Sequence, residues 1–214
     1  MRALPFAGLL AAYLLGSIPT AYLAGRLHGI DLRQHGSGNL GATNAVRVLG
    51  WRTGVPVFAI DAAKGYVPAA LFWHWFGAHP HWSMAYGVAA IVGHVKPVFL
   101  IGHGGGGGKG VATAAGVFLG LAPVATLIAF LAFGVTLGAS GYVSLASMVA
   151  ALALVVALGV TAGVRAPVFP VGVFVAAFVI WSHRANIGRL RRGEESRMRR
   201  RCPVEAPVHP ERVR

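Results

Sequence analysis

The segment GSGNLGATN, Gly36 to Asn44, followed by Arg47, gathers groups that suit a phosphate ester. Its glycines permit tight turns, Ser37, Asn39, Thr43 and Asn44 offer neutral hydrogen bonds, and Arg47 adds a planar cationic fork. The same residues also fit a polar loop that ends in a helix cap. A second candidate is the run Gly104 to Gly108, continuing through Lys109, Gly110, Val111, Ala112 and Thr113. Consecutive backbone N–H groups at the start of a helix, beside an ammonium group, make an anion cradle. Flexible glycine of low complexity is the competing reading. It is not a Walker A loop, which would need glycine where His103 stands and Ser or Thr where Gly110 stands. A GxGxxG match through Gly102, Gly104 and Gly107 is trivial in poly-glycine, so nucleotide binding is set aside.

Asp61 and Lys64 are three apart and share one helical face. Opposite charges inside an apolar stretch neutralise each other and join helices, so they are read as a structural pair. His94, just before Lys96 and Pro97, is read as a positioning or packing group. The last cluster is His183, Arg184, Ala185, Asn186 and Arg189, with Ser144 from a preceding turn. An imidazole at this place can bind a substrate or take a proton near neutral pH, or it can anchor a span at the headgroups. His74, His79 and His81 have no carboxylate or cysteine nearby, and no metal site is expected. There is no GxSxG elbow, Cys202 is alone, and only Asp61 of six acidic residues lies in a span. Acyl-enzyme and metal-hydrolase chemistry therefore have little support. Anion-binding donors around a membrane-side cleft suit transfer of an already activated group by proximity and charge stabilisation.

The elements that position these groups must be membrane helices. The 214 residues are 56% apolar and 12% charged, with 30 glycines and a mean hydropathy of +0.64, against roughly 25% charged in soluble domains. Val111 to Trp181 contains Arg165 as its only charge. Residues 3 to 25 are uncharged, long enough for a span rather than a cleavable leader. The excess of basic over acidic residues, 19 to 6, is concentrated in loops and the tail. That distribution indicates topology and anionic headgroups, and nucleic acid is not expected as a partner. The segment Arg26 to Arg52 carries four arginines and Asp31, a net +3, which assigns it to the cytoplasm and the N-terminus to the outside. Apolar stretches near 53–73 and 83–101 flank an external hairpin, His74 to Trp82, with Trp73, Trp75 and Trp82 as an aromatic belt. The interval 111–181 must cross an even number of times to return to the basic tail. Four crossings of about 18 residues fit better than two of about 35, with breaks at Leu121-Ala122-Pro123, Gly138 to Gly141 and Gly163 to Pro167. The fold expected is all-α, with seven transmembrane helices, some short or broken, N-terminus outside and C-terminus cytoplasmic. Residues 1–197 form one membrane domain and 198–214 a basic, disordered tail. Gly116/Gly120 and Gly134/Gly138 have the spacing of close helix packing.

In order along the chain, GSIPTAYLAGR (Gly16 to Arg26), GSGNLGATN, DAAKG (Asp61 to Gly65), GHVKPVF (Gly93 to Phe99), GGKGVAT (Gly107 to Thr113) and HRANIGRLRRGEE (His183 to Glu195) resemble a family of bacterial membrane enzymes. These are the acyltransferases that use acyl phosphate to acylate glycerol 3-phosphate. Here the loop before GGKG is longer and richer in glycine than the family pattern. The resemblance implies seven spans and one active site facing the cytoplasm of the bacterial plasma (inner) membrane. It implies acyl phosphate and glycerol 3-phosphate as substrates, membrane lipids and the enzyme that makes acyl phosphate as partners, and no metal or other cofactor. Carried over by position, Lys109, His183 and Ser144 would be catalytic. Ser37, Asn39, Thr43, Asn44, Arg47, Gly107, Gly108, Gly110, Thr113 and Asn186 would bind substrate. The sn-1 hydroxyl would attack the acyl carbon without a protein nucleophile, its proton passing to substrate phosphate or to His183. The rival reading from the residues alone is a membrane transporter of a small phosphate ester, which would favour a mid-membrane site and inverted repeats.

Overall fold

A computed structural model describes residues 4–102 and 106–198. His103, Gly104, Gly105, Cys202 and the tail beyond Met198 lie outside the described residues. Among those described there are helices and no strands. An apolar stretch of 24 residues, Leu4–Leu27, is broken at Ile18-Pro19 into α1 (Leu4–Ser17) and α2 (Thr20–Leu27). Proline supplies no N–H to the preceding turn, which is why the helix restarts there. After the polar loop come α3 (Ala42–Leu49), α4 (Trp51–Trp75), α5 (Trp82–Val95) and a 3₁₀ turn at Val98–Leu100. The remainder is α6 (Val111–Leu121), α7 (Pro123–Ser140), α8 (Val143–Thr161), α9 (Val168–Ser182) and α10 (Arg184–Arg191).

Among the described residues five stretches are long and apolar enough to cross a membrane, or six when α9 and α10, bent by 53°, are taken as one span. The chain is thus a multi-pass integral membrane protein. The breaks in the second half fall where the sequence placed them. Pro123 opens α7, where its missing N–H costs nothing. Gly141, at φ +75°, closes the same helix in a left-handed conformation that suits glycine. The exception in length is α6, whose 11 residues rise only about 16 Å against a hydrocarbon core of about 30 Å.

Polarity is distributed the other way round from a soluble protein. Phe6, Leu10, Leu131, Val135, Val156 and Phe174 are exposed, while Asp61, Lys64, His94, Asn44 and His183 are buried. Three close pairings build the bundle: α4 with α6, α1 with α5, and α7 with α8. The first depends on glycine, because a Cβ at Gly65 would run into the Thr113 carbonyl and one at Gly116 into the Ala62 carbonyl. Gly120 likewise faces Ala70, whereas Gly134 and Gly138 have no neighbour within 4 Å of an added Cβ. The small-residue spacing therefore serves packing on α6 and not on α7.

Candidate active site

The loop before α3 is held open by one asparagine. Asn44 accepts at Oδ1 from the Ser37 N–H (2.9 Å) and donates through Nδ2 to the carbonyls of His35 (3.0 Å) and Leu32 (3.2 Å). Buried to 1% exposure, it spends its amide on the loop while also lining a cavity. Gly36 and Gly38 turn the chain at φ +63° and +69°, leaving Ser37, Asn39, Thr43 and Arg47 along the wall of the same cavity.

That cavity, about 880 Å³, lies where α3, the N-termini of α6 and α8, and the α9–α10 junction converge. Gly110 (φ +80°) begins α6 in a left-handed conformation, and Gly107 is tied to α5 by its N–H on the Val95 carbonyl (3.0 Å). Between them stands Lys109, whose Nζ donates to Oδ1 of Asn186. The other end of that amide donates to Oε1 of Glu195 (2.6 Å), which also accepts from the Ser144 hydroxyl (2.7 Å). Arg189 closes the network through Nε on Oε2 of Glu195 (2.7 Å). His183, at the end of α9 and 3% exposed, has Nδ1 2.8 Å from the Val179 carbonyl. A nitrogen facing a carbonyl carries the proton, so Nε2 is left with its lone pair.

Of the residues singled out from sequence, Ser37, Asn39, Thr43, Asn44, Arg47, Gly107, Lys109, Gly110, Ser144, His183 and Asn186 line this one cavity. Thr113 does not: it is fully buried in the α4–α6 contact. Gly108 is also absent from the wall and rests against the His94 ring. Asp61 and Lys64 form the expected ion pair at 2.8 Å, and Asp61 lines the cavity as well. Sequence reasoning missed Glu195 as a site residue. Its only signal was its place at the end of the HRANIGRLRRGEE motif, among tail charges that otherwise read as solvated. The three histidines of the α4–α5 turn form no metal cluster, and none exists among the described residues.

Electrostatics favour an anion. The charged residues on the wall are Arg47, Lys109 and Arg189 against Glu195 and Asp61. With Asp61 neutralised by Lys64, three positive charges less one leave +2. Burial pushes the Lys109 ammonium down to about 8, Glu195 opposes that shift, and Arg189 and Arg47 add to it. Burial alone would raise Glu195, but the bonds from Asn186, Ser144 and Arg189 outweigh it and hold its carboxyl below the ordinary value. A second cavity of about 310 Å³ shares Phe58, Val111, Phe133 and Ser147 with the first and continues between Phe118, Leu154, Val175 and Val179.

Residues 6–193 match the family model described as glycerol-3-phosphate acyltransferase. The glycerol-3-phosphate acyltransferase of Geotalea daltonii is 45% identical over 194 residues, covering 90% of this chain and 96% of that protein. The one from Geobacter metallireducens is 48% identical over 191 residues, covering 89% and 96%. The crystal structure of PlsY, an integral membrane glycerol 3-phosphate acyltransferase, in its glycerol 3-phosphate form superposes with a TM-score of 0.83 at 41% identity. It covers 90% of this chain and 94% of that one. Its lysophosphatidic acid form gives a TM-score of 0.79. A polar cavity with excess positive charge, opening into an apolar one within a helical membrane bundle, is what joining a phosphate ester to a fatty chain requires, and the chain belongs to the glycerol-3-phosphate acyltransferase family of integral membrane acyltransferases.

Proposed function

We propose that this enzyme transfers a fatty acyl group from acyl phosphate to the sn-1 hydroxyl of glycerol 3-phosphate, giving 1-acylglycerol 3-phosphate and inorganic phosphate. The observation that carries this reading is the +2 excess of the polar cavity at its junction with an apolar one. Arg47, Ser37, Asn39 and Thr43 serve one phosphate, and Lys109 with the backbone of Gly107 and Gly110 the other. The acyl chain occupies the apolar cavity past Phe58 and Phe133.

The hydroxyl oxygen attacks the acyl carbon, and the bond from that carbon to the phosphate oxygen breaks. Negative charge collects on the departing phosphate, where the fixed ammonium of Lys109 stabilises it. The hydroxyl proton has two acceptors available, a substrate phosphate oxygen and the Nε2 lone pair of His183. Acyl phosphate is a mixed anhydride with a good leaving group, so neither a protein nucleophile nor a metal or nucleotide cofactor is required. Ser144 and Asn186, ordered by Glu195, complete the wall around the leaving group.

The topology proposed with this reaction has seven crossings, N-terminus outside, and the cavity on the cytoplasmic side of the plasma membrane, where the enzyme that makes acyl phosphate delivers its product. It is supported by Arg26, Arg33, Arg47, Arg52, Lys109 and the α10 arginines, which cluster in segments that border the cavity or adjoin them. The seventh crossing is α6, made short because its cytoplasmic remainder is the glycine loop that lines the cavity.

Purified enzyme in detergent with excess EDTA should make 1-acylglycerol 3-phosphate from acyl phosphate and glycerol 3-phosphate. Turnover only with acyl-CoA, or none, would refute the donor; product acylated at sn-2 would refute the regiochemistry.

A further inference from the structure

The glycine loop does not rest on its own backbone alone. Gly107 is hydrogen-bonded to α5, and a Cβ there would run into the His94 carbonyl and lie 3.0 Å from Cδ of Pro97. A Cβ at Gly108 would meet Nε2 of the His94 ring, with Cε1 at 2.8 Å and the Leu40 carbonyl at 3.1 Å. Gly108 therefore lies directly on the imidazole and Gly107 on the backbone of the same residue, with no space between them. On its other side the ring has Nδ1 3.7 Å from Oδ1 of Asp61. Asp61 in turn is paired with Lys64 at 2.8 Å, and Lys64 donates to the Ile18 carbonyl (2.9 Å) at the break between α1 and α2. That carbonyl also accepts from the Thr20 N–H (3.0 Å), so the lysine adds a second donor at the break and is itself fixed by it.

His94 is the only other ionisable side chain within ion-pair distance of Asp61 among the described residues. The carboxylate is 1% exposed, and its oxygens have no hydrogen bond beyond these charged neighbours. A buried carboxylate this poor in donors favours the tautomer with hydrogen on Nδ1, which turns the unprotonated Nε2 edge of the ring toward Gly108.

We infer that Asp61 and His94 are positioning residues for the phosphate-holding loop. Asp61, fixed by Lys64, sets the His94 ring, and the ring is the shelf that fixes the height of Gly108 and hence the reach of the adjoining Lys109 to Asn186. This rests on the reading of the Lys109 loop as a phosphate site. It gives the Asp61–Lys64 pair a task beyond joining helices: it connects the α1–α2 break to the reacting centre through three side chains. Catalytic groups misplaced by about 1 Å lose on the order of 10²-fold in rate, so a shelf of this kind is worth its burial.

The test uses the full chain in detergent, with kcat and KM for glycerol 3-phosphate measured per folded molecule and thermal unfolding followed in parallel. His94→Leu, which keeps volume without polarity, should lower kcat/KM by about 10- to 10²-fold, and His94→Gln should recover part. Asp61→Asn/Lys64→Met should lower it in the same direction. Combining it with His94→Leu should be no worse than the more severe parent, because both act through one ring. Multiplied losses, equal defects for Leu and Gln, or kinetic constants unchanged while only the thermal midpoint falls would each overturn the inference. If His94→Leu does not fold, Gly108→Ala carries the test: its methyl pushes the ring, so its defect should be relieved by the shorter His94→Asn, and no relief overturns the inference. Lys109→Ala run alongside separates the two levels. Near-normal turnover there refutes the phosphate loop itself, whereas a severe defect there with an unresponsive His94 series refutes the shelf alone.

Discussion

Replacing Lys109 by alanine removes the ammonium group that reaches Asn186 from the glycine loop. An electrostatic donor aimed at charge that develops in the transition state is worth ~10² to 10³ in rate, or roughly 3 to 4 kcal/mol. Lys109→Ala should therefore lose at least about 10²-fold in turnover while remaining folded and membrane-inserted. The structure sharpens this into a pH profile, because burial among Arg47 and Arg189 brings the lysine down to about 8. A group with that value is about 90% charged at pH 7 and about 10% charged at pH 9. Raising the pH discharges it, so kcat/KM, which reports the free enzyme, should fall about tenfold between those two values. A bound phosphate favours the charged form, so the fall in kcat should come at higher pH. Lys109→Arg should restore only part of the rate, since a guanidinium is bulkier than the loop is shaped for, but its profile should be flat to pH 9 because arginine keeps its charge. The assay is initial-rate kinetics with acyl phosphate and glycerol 3-phosphate, normalised to membrane-inserted protein. A wild-type kcat/KM that stays flat through pH 9.5, or Lys109→Ala within about threefold of wild type, would refute the assignment.

Glu195→Ala should unfasten Ser144, Asn186 and Arg189 together, cost about 2 kcal/mol in stability and lower turnover, as read by thermal unfolding and initial rates. Because its carboxyl is held below its ordinary 4.5, that stability is present above this value and is lost as the pH falls through the folded-state value, so the wild-type and variant unfolding midpoints should converge in acid. Asp61→Asn alone leaves the Lys64 charge buried without its partner and should cost about 3 to 5 kcal/mol, while Asp61→Asn/Lys64→Met should sit closer to wild type; a double variant less stable than the single one would contradict this. For topology, in a Cys202→Ser background, His79→Cys should react with an impermeant thiol reagent from outside the cell and Ser196→Cys only after permeabilisation. The reverse pattern would invert the proposed orientation.

Much of the site was legible because its chemistry is carried by residue types that are rare in a membrane. Next to a stretch as apolar as Val111 to Trp181, a polar residue or glycine cluster at a helix end stands out, as Ser144 does within it and Lys109 and His183 do at its two borders. What misled was the assumption that a polar residue in a polar motif faces the ligand. Thr113 sits in the right motif but is packed against Gly65 away from the cavity, whereas Asn44 lines the cavity while its amide satisfies the loop's backbone. Glu195 was passed over for the opposite reason. A carboxylate beside arginines reads as a solvated tail until the chain is seen to fold back and place it under Ser144, 51 residues away.

The sequence by itself determined the membrane class, the helical character of the spans, and where the second half breaks. These depend on composition and on proline or glycine acting within one turn of the chain, and the spacing of Asp61 and Lys64 likewise fixed their pairing on one helical face. Tertiary structure decided which of the polar residues share a cavity and that His94 lies beneath Gly108. Those facts depend on how closely α4, α5 and α6 approach one another. That approach is set by contacts such as Gly65 on Thr113 and Gly116 on Ala62, between residues too far apart in sequence for any local pattern to register.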